Sequence, residues 1–174
     1  MMAKYTCTCC GKEHDEWPAL GFIAPDDYAQ LPEEKKADET YCELTHDFCT
    51  VNHPDQTDRF VRGVLFQKIT DHCDTLDYGV WTSLSEKSFK DYYDNFNNPE
   101  HEAVYFGWLS NDLADYTFES CIPLNVVCAG DGKRPEFIPH ESHDHPFVRD
   151  YYNGITKAEA ERRIADMLAK TTHG

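Results

Sequence analysis

Basic side chains are scarce in this chain: 16 Lys and Arg stand against 32 Asp and Glu, for a formal net charge of −16. A field of that sign repels a phosphate backbone, so general nucleic-acid binding is disfavoured. Long apolar runs are missing too. No window approaches the ~20 consecutive apolar residues of a membrane-spanning helix, and Met1-Met2-Ala3-Lys4-Tyr5 runs into Cys7 without the apolar stretch of an export signal. The expected compartment is the cytoplasm, with no membrane partner. Equally absent are a repeat of fixed period, an H-E-x-x-H zinc-protease motif, a G-x-x-x-x-G-K-[ST] phosphate loop and a G-x-S-x-G nucleophile elbow. Whether the chain is an enzyme is left open by these residues.

What is present points to a packed core. Hydrophobic residues make up 40% and aromatics 13% of 174 residues, enough to exclude a disordered chain despite 28% charged residues. This length suits a single domain over residues 1–174, with a cysteine knuckle in 1–20 and an α+β body in 21–174. Two proline-led segments from Pro25 and Pro32 read as short helical turns. Phe48 to Asn52 and Arg59 to Ile69, separated by turn chemistry, read as a hairpin; Asp77 to Ser83, Ala103 to Leu109 and Cys121 to Ala129 read as three further strands. Mostly short connections imply a mainly antiparallel sheet of about five strands with flanking helices. Ser85 caps one helix, which Asn97-Asn98-Pro99 stops. Thr156 and Glu159 form a capping box for a second, over roughly 157 to 169, with Ala160, Ile164, Met167 and Leu168 as its apolar stripe.

Eight cysteines in a chain with no export signal read as thiols and metal ligands before they read as disulfides. Cys7 and Cys10 form a C-x-x-C followed by Gly11, a spacing that lets two thiolates meet one tetrahedral ion. No helix pattern follows, which sets aside a thioredoxin-like redox pair. Zinc in a structural, ribbon-like knuckle is the expected cofactor. His14 is near in sequence and Cys49 opens a strand that can deliver a second arm, so the expected set is Cys7, Cys10, His14 and Cys49. Cys42, His46 and His145 compete for the last places. Cys9, adjacent to Cys10, diverges from it. Cys73, Cys121 and Cys128 read as core residues.

His140-Glu141-Ser142-His143-Asp144-His145 concentrates imidazoles and carboxylates, yet its spacing matches no hydrolytic zinc motif, and a solvated loop explains it better. Trp81 and Trp108 each follow close on a glycine and read as buried indoles in a sheet core.

Several of these pieces, taken in order, resemble an uncharacterised, mainly bacterial family, the domain of unknown function DUF2199. They are Cys7-x-x-Cys10-Gly11-Lys12-x-His14, Asp47-Phe48-Cys49, Phe60-Val61-Arg62-Gly63, Gly79-Val80-Trp81-Thr82-Ser83-Leu84-Ser85, Tyr105-Phe106-Gly107-Trp108-Leu109-Ser110, and Asp144-His145-Pro146 followed by Gly154-Ile155-Thr156. The resemblance implies a fold and a metal-binding start, with His14, Cys49 and His145 as the leading candidates for the further ligands, of which only two can complete a tetrahedral set with Cys7 and Cys10, and carries no activity. Three functional expectations follow: a zinc-stabilised module that binds a protein partner, a metal-dependent hydrolase using His140, His143, Asp144 and His145, or an acidic inhibitor or immunity-type protein that binds a basic target.

Overall fold

The computed structural model describes residues 2–7 and 10–173, with side chains described as far as residue 170. Cys9 lies outside the described residues. The chain begins with β1 (Lys4–Thr6) and β2 (Glu13–Asp15), an antiparallel pair with Tyr5 opposite His14. After β3 (Leu20–Gly21) come α1 (Asp26–Ala29) and α2 (Glu33–Lys36), each led by a proline whose fixed φ suits a helix start. Four strands follow: β4 (Cys42–Leu44), β5 (Phe48–Asn52), β6 (Thr57–Gln67) and β7 (Leu76–Ser83). Then α3 (Glu86–Asp94), β8 (Glu102–Leu109), β9 (Pro123–Ala129), β10 (Glu136–Pro139), α4 (Pro146–Asn153) and α5 (Lys157–His173) complete the chain.

The fold is mixed α+β, but its main sheet is not the simple sheet expected. Strands β6 to β10 pair in sequence order and β10 returns to β6, closing a five-stranded barrel. The closing contact is parallel, Glu136 beside Val64, while the other joints of the barrel are antiparallel. A five-strand meander has to close this way, because its four reversals, an even number, leave the first and last strands running alike. Strand β10 holds only four residues and is led by Pro135, and its sequence has too little alternation to stand out. Strand β5, counted among the five, lies outside the barrel: it extends β6 outward and carries β4 at the edge.

Alternation sorts the residues. In β8, Tyr105 and Leu109 turn inward and are buried, whereas Val104, Phe106 and Trp108 turn outward and are 64%, 49% and 44% exposed. Trp108 is therefore not the buried indole expected, for the geometric reason that it falls on the outer parity of its strand. Trp81 is fully buried as expected, its indole N–H donating to the Phe22 carbonyl at 3.0 Å.

Two apolar clusters result. The larger fills the barrel and takes in Tyr92 of α3, Phe147 and Val148 of α4, and Ala160 and Ile164 of α5. The smaller lies against the outer wall and comprises Cys42, Cys49, Val51, Phe60 and Trp81, roofed by Phe22, Tyr28 and Leu31. Among the described residues, none of β1, β2 or the turn between them belongs to either cluster. Ser85 caps α3 by accepting from the Ser88 N–H. At α5, Thr156 accepts from the Glu159 N–H at 3.2 Å, but the reciprocal half of the box is missing. The Glu159 carboxylate turns instead to Arg162 and Arg163, and Asp71 accepts from the Lys157 N–H at 2.6 Å.

Candidate metal centre

The turn joining β1 to β2 is closed by two backbone bonds: the Cys7 N–H donates to the Lys12 carbonyl and the Gly11 N–H to the Cys7 carbonyl, both at 2.8 Å. Gly11 adopts φ +69°, a left-handed conformation that a Cβ disfavours, and this lets the chain double back within a few residues of Cys7. Cys10 is thereby returned to the side of Cys7. From β2, His14 reaches the same place, its Nε2 standing 3.1 Å from the Cys10 Sγ. The fourth donor comes from the loop between β6 and β7: one ligand atom from each of Cys7, Cys10, His14 and Cys73 lies within 4.8 Å of all the others.

That donor set fits a metal. In a tetrahedral site with Zn–S near 2.3 Å and Zn–N near 2.0 Å, donor atoms stand roughly 3.5 to 4 Å from one another. Donors within 4.8 Å thus need only small rotamer adjustments to close on an ion. Cys7 is buried, His14 is half-buried and Cys10 and Cys73 are exposed, so the group sits at the surface with one inner thiol. The His14 ring is held from its far side by His72 in an edge contact with centroids 4.5 Å apart, and His72 lies against Trp17 at 4.6 Å. This packing fixes the imidazole plane, as outer contacts do for ligating histidines. Among the described residues no other group of three or more such side chains converges in this way.

Three of the four expected ligands are therefore brought together and the fourth is not. Cys49 sits on β5 in the smaller apolar cluster, 1% exposed, and burial pushes its thiol up to about 12. Its parity explains the difference: Cys49 and Val51 share the buried face, while Phe48 and Thr50 face the other way. Cys73 occupies the place that was expected of Cys49. The competing candidates have other partners. The Cys42 thiol donates to the Lys35 carbonyl, and His46 Nδ1 lies 2.7 Å from a terminal nitrogen of Arg134. His145 caps α4, its Nδ1 accepting from the Phe147 N–H at 3.0 Å, while its Nε2 stands 2.8 Å from the Thr117 carbonyl oxygen.

Two more side chains of the histidine-rich segment are used in the same structural way. His140 bonds Asn125 at 2.9 Å, and Asp144 pairs with Arg149. Sequence reasoning missed Cys73, though one signal was available. Asp71-His72-Cys73-Asp74 falls between two strand candidates, where no alternating pattern asks for a buried thiol.

The fold and the cluster define a class: a small α+β barrel with a Cys3His group in which donors of an N-terminal hairpin and a barrel loop converge. A family model described as an uncharacterised protein conserved in bacteria, DUF2199, matches residues 6–155, and the chain belongs to that family. All four residues of the cluster lie within the match. No curated protein and no solved structure matches the chain. Among the described residues no helix is long and apolar enough to cross a membrane.

Proposed function

We propose that the protein is a zinc-stabilised interaction module in which Cys7, Cys10, His14 and Cys73 hold one zinc ion in a closed tetrahedral site. Three soft thiolates and an imidazole suit zinc, and four protein donors leave no open position for substrate. The role is structural: the ion ties the β1–β2 hairpin to the β6–β7 loop. One observation carries this reading. Four donors from segments some sixty residues apart meet within 4.8 Å, at the end of a hairpin that adds nothing to either apolar cluster. The outward ridge of Val104, Phe106 and Trp108 supplies the surface for a protein partner, since three large apolar side chains in a row on an acidic molecule form the kind of patch that marks contact sites.

The test is elemental analysis after gel filtration of the wild type, Cys73→Ser and Cys49→Ser. One zinc per chain is expected in the wild type and in Cys49→Ser, and well under one in Cys73→Ser. Iron in place of zinc would change the identity of the ion. Full occupancy in Cys73→Ser would remove that residue from the site.

A further inference from the structure

The segment after α3 and the turn between β9 and β10 border an open cavity of about 400 Å3. Its floor is Tyr92 and Cys128, and its walls include Asp47, Asn97, Lys133 and Arg134. Nothing in it belongs to the Cys3His group.

Arg134 is oriented from two directions. Its Nε donates to Asp47 Oδ1 at 2.8 Å and one terminal nitrogen lies 2.7 Å from His46 Nδ1. The other terminal nitrogen has no acceptor among the described residues. A guanidinium held in this way keeps a fixed edge for a further oxygen. The neighbouring Lys133 makes no ion pair among the described residues; only its backbone N–H is engaged, with Asp131 at 3.0 Å. Arg62 stands close by. Burial, and then the nearness of Arg134, pull its pKa down, and its Nε is buried without a partner.

Two cations, Lys133 and Arg134, thus line the cavity with two acids, Asp47 and Asp131, in a chain whose acids outnumber its bases two to one, and neither cation has its donors used up by those acids. The floor adds no negative charge. Burial pushes the Cys128 thiol up to about 11 and raises the Tyr92 hydroxyl further, so both are neutral near pH 7 and offer hydrogen-bonding groups only. The volume lies at the small end of the range for ligand pockets.

We propose that this cavity binds a small polar molecule bearing an oxyanion, a carboxylate or a phosphate, which takes the free edge of Arg134 and the ammonium of Lys133. The proposal is independent of the zinc reading, because it uses none of the same residues.

The test is a two-dimensional amide NMR titration of the metal-loaded full chain at physiological salt. Inorganic phosphate and succinate are the probes, and glycerol is the uncharged control. Saturable shifts centred on the Gly130, Gly132 and Asn97 amides are expected with at least one anion, with half-saturation at about 1 mM or below, and none with glycerol. The two anion arms separate phosphate from carboxylate recognition. Arg134→Gln should weaken binding about tenfold or more, as expected for loss of a charged hydrogen-bond donor. Lys133→Gln, at an exposed and unpaired position that leaves the fold intact, should weaken it several-fold. Failure of both anions to saturate the signals, or equal affinity in the wild type and both variants, overturns the proposal.

Discussion

On the proposed zinc reading, stripping the ion from the Cys3His group should lower the melting temperature by an amount that follows from linkage. A ligand present at a thousandfold excess over its dissociation constant, and bound only by the folded state, contributes about 4 kcal/mol. For a domain of 150–250 residues each kcal/mol moves the midpoint by about 2 to 4 °C, so chelation should lower it by roughly 8 to 16 °C. The structure also indicates where the loss begins. The hairpin has three registered pairs, with Tyr5 and His14 only half-buried, and a two-stranded ribbon of that size is marginal on its own. The barrel's apolar cluster includes no described residue of the hairpin, so it should persist when the hairpin lets go. Trypsin should therefore cut at Lys4 and Lys12 in the chelated protein before the barrel melts. Differential scanning calorimetry before chelation, after chelation and after zinc is returned measures the first effect, and timed proteolysis the second. A chain shown by elemental analysis to be metal-free, yet melting within about 2 °C of the loaded form, would refute the structural role.

Other outcomes test other parts of the molecule. Gly63→Ala places a Cβ 2.3 Å from Phe137 Cε1 and 2.7 Å from the Pro135 carbonyl oxygen inside the barrel wall, so it should destabilise by about 3 kcal/mol in urea unfolding; a loss under about 1 kcal/mol would mean the β6–β10 seam is looser than described. Glu159 is held down to about 2 by its bonds to Arg162, with Arg163 adding to the effect. Because the folded value lies below the ordinary 4.5, its stabilisation is complete above 4.5 and is lost as pH falls toward 2. Glu159→Gln should therefore show a shallower loss of stability across that interval, and an unchanged slope would remove Glu159 from the account. Alkylation followed by mass spectrometry should find exposed Cys121 modified quickly in the native protein and Cys49 and Cys128 spared, their thiols raised to about 12 and about 11 by burial. Exposed Cys10 and Cys73 should react only after chelation, so equal rates with and without chelator would argue against a shared ion.

Much of the strand content was legible because β6, β7, β8 and β9 are long enough for parity and composition to register. Closure of the barrel was not. It depends on β10, whose four residues make one parallel contact with β6, and no local pattern announces a pairing so distant and so short. The metal group divides along the same line. Cys7, Cys10 and His14 lie within one turn and its flanking strands, so spacing alone suggested them. Cys73 reaches them only through the register of a barrel more than fifty residues further on. Cys49 drew attention as the start of a strand, yet strand alternation, applied one step further, turns it with Val51 toward the apolar layer under Trp81. Within the histidine-rich segment, read as a solvated loop, His145 alone competed for the metal at the cysteine knuckle. Imidazoles cap helices and accept backbone bonds as readily as they bind metals, and His145 does so at the first turn of α4.

The loop that carries Cys73 does more than complete a ligand set. Within a few residues it also supplies Asp71, which accepts from the first backbone N–H of α5, and Ile69, which bridges in parallel to Ile155 just before that helix. Thr70 donates to the Ile155 carbonyl at 2.9 Å and Ile155 to that of Lys68 at 3.0 Å, so the loop is pinned to the chain entering α5 from both sides. A thiol on a free loop would have to be ordered as the metal bound, at about 1 to 2 kcal/mol of backbone entropy per residue. On this loop the ordering is already done by contacts with α5. The hairpin, by contrast, presents three donors on a segment with almost no apolar anchorage. A pre-set fourth donor on the barrel and three donors on an arm outside the apolar clusters is the arrangement in which one ion would do most to hold a segment in place, and on the proposed zinc reading it makes Cys73, and not the better-buried Cys49, the residue whose loss should release the arm.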